Sequence, residues 1–121
     1  MKILITGAAG FIGMHTAQTM ASLGHQVIGL DNINAYYETD LKYARLAILG
    51  INREDLEYNK LVHGTNNFEF ILLDIQDAGN LNSLFALQKF DVVIHLAAQA
   101  GVRYSITNPR DYIDSNIIGF Y

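Results

Sequence analysis

Three glycines spaced three apart, Gly7, Gly10 and Gly13, stand between a short apolar run and a longer segment of helical character. The run before them, Lys2-Ile3-Leu4-Ile5-Thr6, is short and mostly aliphatic, as a strand buried on both faces requires. After them, Phe11 to Leu23 sets Ile12, Thr16, Met20 and Leu23 at helical spacing, and Gly24 supplies a left-handed residue past the end. Strand, glycine turn and helix in that order restrict the fold severely. In such a turn the first glycine permits the sharp bend, the second removes a side chain that would block an anion, and the third lets helix and sheet approach. The N–H groups that open the helix then point at a phosphate. The spacing here is G-x-x-G-x-x-G, and an ordinary glycine turn is the alternative reading of the motif taken alone.

The rest of the chain repeats the alternation. Gln26 to Leu30 is a second apolar strand, stopping at Asp31-Asn32 and closing a βαβ unit. Thr39 to Leu49, with Leu41, Ala44, Leu46, Ile48 and Leu49 beside Lys42 and Arg45, suggests a second helix, and Asn52 to Val62 reads as a polar excursion with a turn of helix. Phe68 to Leu73 is a third strand; Asp77 caps a helix whose Leu81, Leu84 and Phe85 share one face; Asp91 to His95 is a fourth strand. Asn108-Pro109 opens a last helix with a stripe of Tyr112, Ile113, Asn116, Ile117 and Phe120. Strands alternating with helices predict an α/β fold, a Rossmann-type doubly wound parallel sheet, with right-handed crossovers giving the strand order 3-2-1-4 and helices on both faces. Such sheets continue to a fifth and sixth strand, so this one is incomplete, its fourth strand is an open edge, and a homodimer or aggregation is the expected consequence.

Composition narrows the function. The 121 residues carry a net charge of −4, giving no basic stripe for nucleic acid or an anionic membrane. There is no cysteine, so disulfides, thiolate metal sites and thiol catalysis are excluded, and no two histidines have metal-ligand spacing. The apolar runs are too short for a signal peptide or a membrane span, which reads as a cytoplasmic protein. The final run, Asn116 to Tyr121, is apolar and uncapped, as in a fragment of something longer.

Asp31 lies 24 residues beyond Gly7, where a carboxylate accepts hydrogen bonds from both hydroxyls of an adenosine ribose and repels a 2′-phosphate. Asn32 and Ile33 follow it with no Arg or Lys, so NAD is expected over NADP, with Asn32 among the contacts. Asp74 and Ile75 are candidates for the adenine amino group and ring, with a turn or helix-capping role as the alternative. The small-sided run Leu96, Ala97, Ala98 suits a nicotinamide ribose neighbour, tight strand packing being its other reading, and His95 reads as a strand-end histidine.

GAAGFIG, LDNINAYYETDLKYARL, DIQD, HLAAQAGVRYS and NP-x-x-Y-x-x-SN together resemble the extended short-chain dehydrogenase/reductases that act on nucleotide sugars, most closely the UDP-glucuronate 4-epimerases. The resemblance runs over essentially the whole chain. It implies NAD contacts from Gly7, Gly10, Phe11, Ile12 and Gly13, from Asp31, from Asp74 and Ile75, and from Leu96 to Ala98, with Asn116 near the active site. Arg103 and Ser105 are candidates for the sugar nucleotide, with a loop-structural role as the alternative. The implied reaction is conversion of UDP-glucuronate to UDP-galacturonate by transient C4 oxidation, driven by a Tyr-x-x-x-Lys pair. None of the seven tyrosines here is followed four positions on by lysine, so no catalytic residue is assigned and no turnover is expected of these residues alone. The expectation is the N-terminal NAD-binding portion, residues 1–121, of a longer epimerase. A dehydratase or decarboxylase of the same family and a non-catalytic NAD-binding module are the alternatives.

Overall fold

The computed structural model describes residues 1–33 and 39–97. In chain order the elements are β1 (Lys2–Thr6), α1 (Phe11–Ser22), β2 (Gln26–Asp31), α2 (Thr39–Ile48), a 3-10 turn (Arg53–Asp55), β3 (Leu61–His63), β4 (Phe68–Leu72), α3 (Ala78–Gln88) and β5 (Val92–His95). The final helix read from Asn108 onward lies outside the described residues.

The sheet runs β3-β4-β2-β1-β5. Its four longer strands are parallel and reproduce the order 3-2-1-4 expected from the alternation, with β1 paired to β2 and β5 and β2 paired to β4. The correction is at the edge. Within the stretch read as a polar excursion, β3 pairs antiparallel to β4, setting Leu61 opposite Ile71 and His63 opposite Glu69. Three residues, none fully buried, are too few to show a period, which is why the sequence does not announce this strand.

Alternation along the strands builds two cores. Ile3 and Ile5, Val27, and Phe68 and Phe70 face one way, against Met14, Ala17 and Ala21 of α1 and Leu46 of α2. Leu4, Ile28 and Leu30, and Ile71 face the other way, against Leu81 and Leu84 of α3. Phe68 and Phe70 are fully buried, each contributing about 1.5–3 kcal/mol by leaving water.

The expected stripe of the first helix is corrected. The face α1 buries is Gly13, Met14, Ala17 and Ala21, while Ile12 and Leu23 are 66% and 67% exposed. Small side chains on that line let the helix lie close to the sheet, and the larger residues at its two ends fall outside the contact. In α2 the inward residues are Lys42 and Leu46, and Leu41 and Ile48 point to solvent. A lysine replaces an aliphatic residue on the inner face because a carboxylate waits beneath it, as described below.

The α3 reading holds. Asp77 is its N-cap, its side chain accepting from the Asn80 N–H, and Phe85 packs against the second core with Leu81 and Leu84. The same carboxylate accepts from the Asn80 amide at 2.8 Å and the Tyr58 hydroxyl at 2.7 Å, so the cap also anchors the segment before β3. These bonds, that from Tyr58 foremost, hold the Asp77 carboxyl below its ordinary 3.8, while partial desolvation and the bond to Asp77 push the Tyr58 phenol up from 10.0. A lowered carboxyl stabilises the fold above its unfolded value and loses that contribution as pH falls through the folded one; the raised phenol contributes below its ordinary value and loses its part only in strong base. Asp77→Ala is therefore expected to lower the urea midpoint at neutral pH. The gap to the parent should narrow as pH is taken from about 5 to about 3, and a gap constant over that range would show that the carboxylate charge plays no part.

Candidate functional site

The carboxyl ends of β1, β2, β4 and β5 come together along one edge of the sheet, where an open α/β sheet binds its ligands. At the end of β1 the chain turns through Gly7, whose φ of +73° belongs to the left-handed region that glycine adopts without penalty. Its N–H donates to the Leu30 carbonyl at 2.8 Å, tying the turn to β2. A Cβ at Gly7 would stand 2.7 Å from the carbonyl carbon of Leu96, so the segment after β5 passes directly against this turn. A Cβ at Gly13 would collide with the Gly7 carbonyl oxygen and stand 2.9 Å from the Ala8 Cα. Gly7 is thus required by its positive φ and by the Leu96 backbone beside it, and Gly13 by the close approach of the turn.

Gly10 is the N-cap of α1, and the first helical bond runs from the Met14 N–H to the Gly10 carbonyl at 2.9 Å. No side chain caps this helix and its first turn holds no acid. The N–H groups of Phe11, Ile12 and Gly13 thus open the helix with no carboxylate competing for the positive end of its dipole. Such a helix start can receive an anion on its backbone N–H groups.

Asp31, the last residue of β2, is 4% exposed. Strand alternation turns it to the same face as Val27, toward α1 and α2. Its carboxylate accepts from the Ala9 N–H at 3.1 Å and the Ile33 N–H at 2.8 Å, and pairs with the Lys42 Nζ at 3.2 Å. The glycine turn and the predicted ribose acid are thereby joined by a direct bond through Ala9. Asn32, half-buried, stands next to them. Arg45, one turn beyond Lys42 in α2, donates to the Ala9 carbonyl at 3.3 Å.

Lys42 and Arg45 are the site residues that sequence reasoning missed. Looking only at the positions following Asp31, it found no cation; the structure brings one to the carboxylate from eleven residues on. The available signal was spacing, because Lys42 stands in helical register with the buried Leu46 and Leu49.

At the turn after β4, the Asp74 Oδ1 accepts from the Gln76 N–H at 2.9 Å, and its own N–H donates to the Tyr58 hydroxyl at 3.3 Å. Ile75 is buried in the second core. The Leu73 N–H donates to the Asp31 carbonyl at 3.1 Å, so this turn is held next to the ribose acid. At the end of β5, the Thr6 hydroxyl accepts from the Leu96 and Ala97 N–H groups at 3.0 and 3.2 Å. The same hydroxyl is hydrogen-bonded to His95 Nδ1 at 2.8 Å. His95 serves as a strand-end tie. Ala98, Arg103, Ser105 and Asn116 lie outside the described residues.

A turn that a Cβ would fill, an uncapped helix start and a buried carboxylate bonded to the turn suit a dinucleotide: pyrophosphate at the glycines, ribose at Asp31. None of the described helices is long and apolar enough to cross a membrane.

The comparisons agree with this geometry. Protein CapI of Staphylococcus aureus is 48% identical over 120 residues, covering 99% of this chain and 32% of the relative. A probable UDP-glucuronate 4-epimerase of Rhizobium meliloti is 41% identical over 119 residues, covering 98% of this chain and 31% of the relative. Among solved structures, a mutant UDP-glucuronic acid 4-epimerase from Bacillus cereus, in complex with UDP-4-deoxy-4-fluoro-glucuronic acid and NAD, superposes with a TM-score of 0.73 at 36% identity. That match covers 98% of this chain and 33% of the solved one. The chain thus spans about a third of the length of the relatives it matches. With the GDP-mannose 4,6 dehydratase family profile matching residues 4–121 on top of this shared fold, the chain belongs to that family.

Proposed function

We propose that these residues are the NAD-binding portion of a nucleotide-sugar 4-epimerase, of the type that interconverts UDP-glucuronate and UDP-galacturonate. The observation that carries the cofactor reading is the direct bond between the glycine turn and Asp31, which sets an open anion seat and a ribose-binding acid in one rigid unit. The epimerase reading draws on the names of the relatives. A dehydratase of the same family is the second reading, favoured by the description of the family profile.

In this reading the N–H groups of Phe11, Ile12 and Gly13 receive the pyrophosphate, Gly7 and Gly10 leave it room, and Asp31 with Asn32 receives the adenosine ribose. Asp74 and Ile75 flank the adenine, Leu96, Ala97 and Ala98 the nicotinamide ribose, and Asn116 stands near the reacting centre. Arg103 and Ser105 receive the sugar nucleotide. When bound, NAD supplies a hydride acceptor for the sugar carbon, and these residues supply orientation. The partners of the intact protein are then NAD and a nucleotide sugar.

Denaturing the purified chain and assaying the released nucleotide, beside titrations of the stripped protein, tests the cofactor. NAD should be released, or bound at least about tenfold more tightly than NADP, since a 2′-phosphate must approach a buried carboxylate. A chain shown folded by circular dichroism that binds neither refutes the reading. Gly13→Ala, which drives a methyl group into the Gly7 carbonyl, should weaken NAD by more than about tenfold, because the turn must shift away from the helix start. Unchanged affinity in that variant would move the pyrophosphate elsewhere.

A further inference from the structure

The polar stretch ahead of β3 reaches the edge of the sheet where ligands bind. The Asn59 N–H donates to the Leu72 carbonyl at 2.8 Å, and Tyr58 forms a bridge to Leu72, so Tyr58 is brought to the carboxyl end of β4. Its side chain is 52% exposed, which means that ring burial is not what holds it there. The hydroxyl is engaged in both senses instead. It donates to Asp77 Oδ2 at 2.7 Å and accepts from the Asp74 N–H at 3.3 Å.

The consequence falls on Asp74. Its N–H is taken by Tyr58, its carbonyl accepts from the Asp77 N–H at 2.9 Å, and its Oδ1 accepts from the Gln76 N–H at 2.9 Å. The last two bonds arise within the turn itself, as an aspartate at such a turn makes them. The first comes from sixteen residues earlier in the chain and, through Asp77, couples the turn to the start of α3. Backbone and one carboxylate oxygen are thus fixed, while Oδ2 takes no bond among the described residues. A carboxylate held by one oxygen and open at the other is an acceptor aimed by its surroundings. An amino group on a planar base can donate to it, whereas a carbonyl in the same place sets lone pairs against lone pairs.

Resting on the reading above that sets Asp74 beside the adenine, we propose that Tyr58 is a positioning residue for base selection. Its hydroxyl holds the Asp74 turn so that Oδ2 accepts from a 6-amino group and opposes a 6-oxo base. The phenol needs no contact with the nucleotide, since it acts through the Asp74 N–H and the Asp77 carboxylate. The segment of residues 52–62, which the sheet uses only in part, thereby gains a role in choosing adenine over hypoxanthine.

The full chain, Tyr58→Phe and Asn59→Ala should be titrated calorimetrically with NAD and with nicotinamide hypoxanthine dinucleotide, in which an oxo group replaces the 6-amino group, folding being followed by circular dichroism. The parent should bind NAD about tenfold more tightly than the hypoxanthine form, the size of one hydrogen bond to a charged group. Tyr58→Phe keeps the ring and removes only the hydroxyl, and an exposed side chain puts none of the core at risk. It should weaken NAD about fivefold and shrink the preference for adenine to about twofold or less. Asn59→Ala removes the neighbouring bond to Asn80 at 3.2 Å, loosening the same segment while leaving the Tyr58 hydroxyl, and should keep the full preference. A preference undiminished in Tyr58→Phe, or lost equally in Asn59→Ala, overturns the proposal alone. A parent that binds NAD without preferring adenine overturns the placement of Asp74 at the base and the proposal with it, and a folded parent that binds neither dinucleotide overturns the cofactor reading as well.

Discussion

One carboxylate, that of Asp31, fixes the relation among the parts of the site. A carboxylate this deeply buried costs several kcal/mol unless it is fully satisfied, and its partners come from separate places in the chain. The turn after β1 gives the Ala9 N–H, the chain just past β2 the Ile33 N–H, and α2 the Lys42 ammonium. Its backbone carbonyl receives the Leu73 N–H, which fastens the end of β4 as well. Each of these segments is held by the requirement that the charge be met. The glycine turn, the predicted ribose position and the turn at Asp74 are consequently parts of one hydrogen-bonded unit.

Close approach is the second constraint, and it acts from the opposite side of the turn. Gly13 has no room for a methyl group beneath the Gly7 carbonyl, and Gly7 has none beside Leu96. The line Gly13, Ala17, Ala21 continues the economy of volume along α1, so the helix settles onto β1 and β2 with its first N–H groups directly over the strand ends. Thr6 completes the arrangement across the sheet, its hydroxyl gathering the Leu96 and Ala97 N–H groups and bonding to the His95 ring. Two small residues and one hydroxyl thus place the chain after β5 against the glycine turn, where a cofactor's second half would lie.

Most of this was legible because the parallel strands, buried on both faces, are continuous apolar runs that stop at recognisable punctuation: Gly7, Asp31 and Asp74. Asp77 and the stripe it introduces were equally plain. What stayed hidden has a physical cause in each instance. The edge strand β3 is too short for periodicity to show, and its pairing with β4 is a tertiary fact. The inner face of α1 was misplaced because hydrophobicity pointed to Ile12 and Leu23, while the sheet selects for small volume and takes Gly13 and Ala17 instead. Lys42 was passed over because a lysine on a helix reads as a solvent-facing charge. Only the buried acid on the neighbouring strand reverses that expectation. Tyr58 was hidden likewise, its value residing in Asp77 and the Asp74 backbone, which the sequence places far from it.

The Asp31–Lys42 pair also says something about what the fold gives up. A buried ion pair seldom stabilises more than well-packed apolar residues of similar size. At position 42 an aliphatic residue would extend the inward line of Leu46 and Leu49 without interruption, and a neutral residue at 31 would remove the need for a counter-charge. Stability alone therefore gives no reason for the pair. Its location does, because it sits at the carboxyl end of β2, bonded to the glycine turn. In this way the least favourable feature of the core, a charge pair on an otherwise apolar line, becomes intelligible as the tie that joins the glycine turn, β2 and α2.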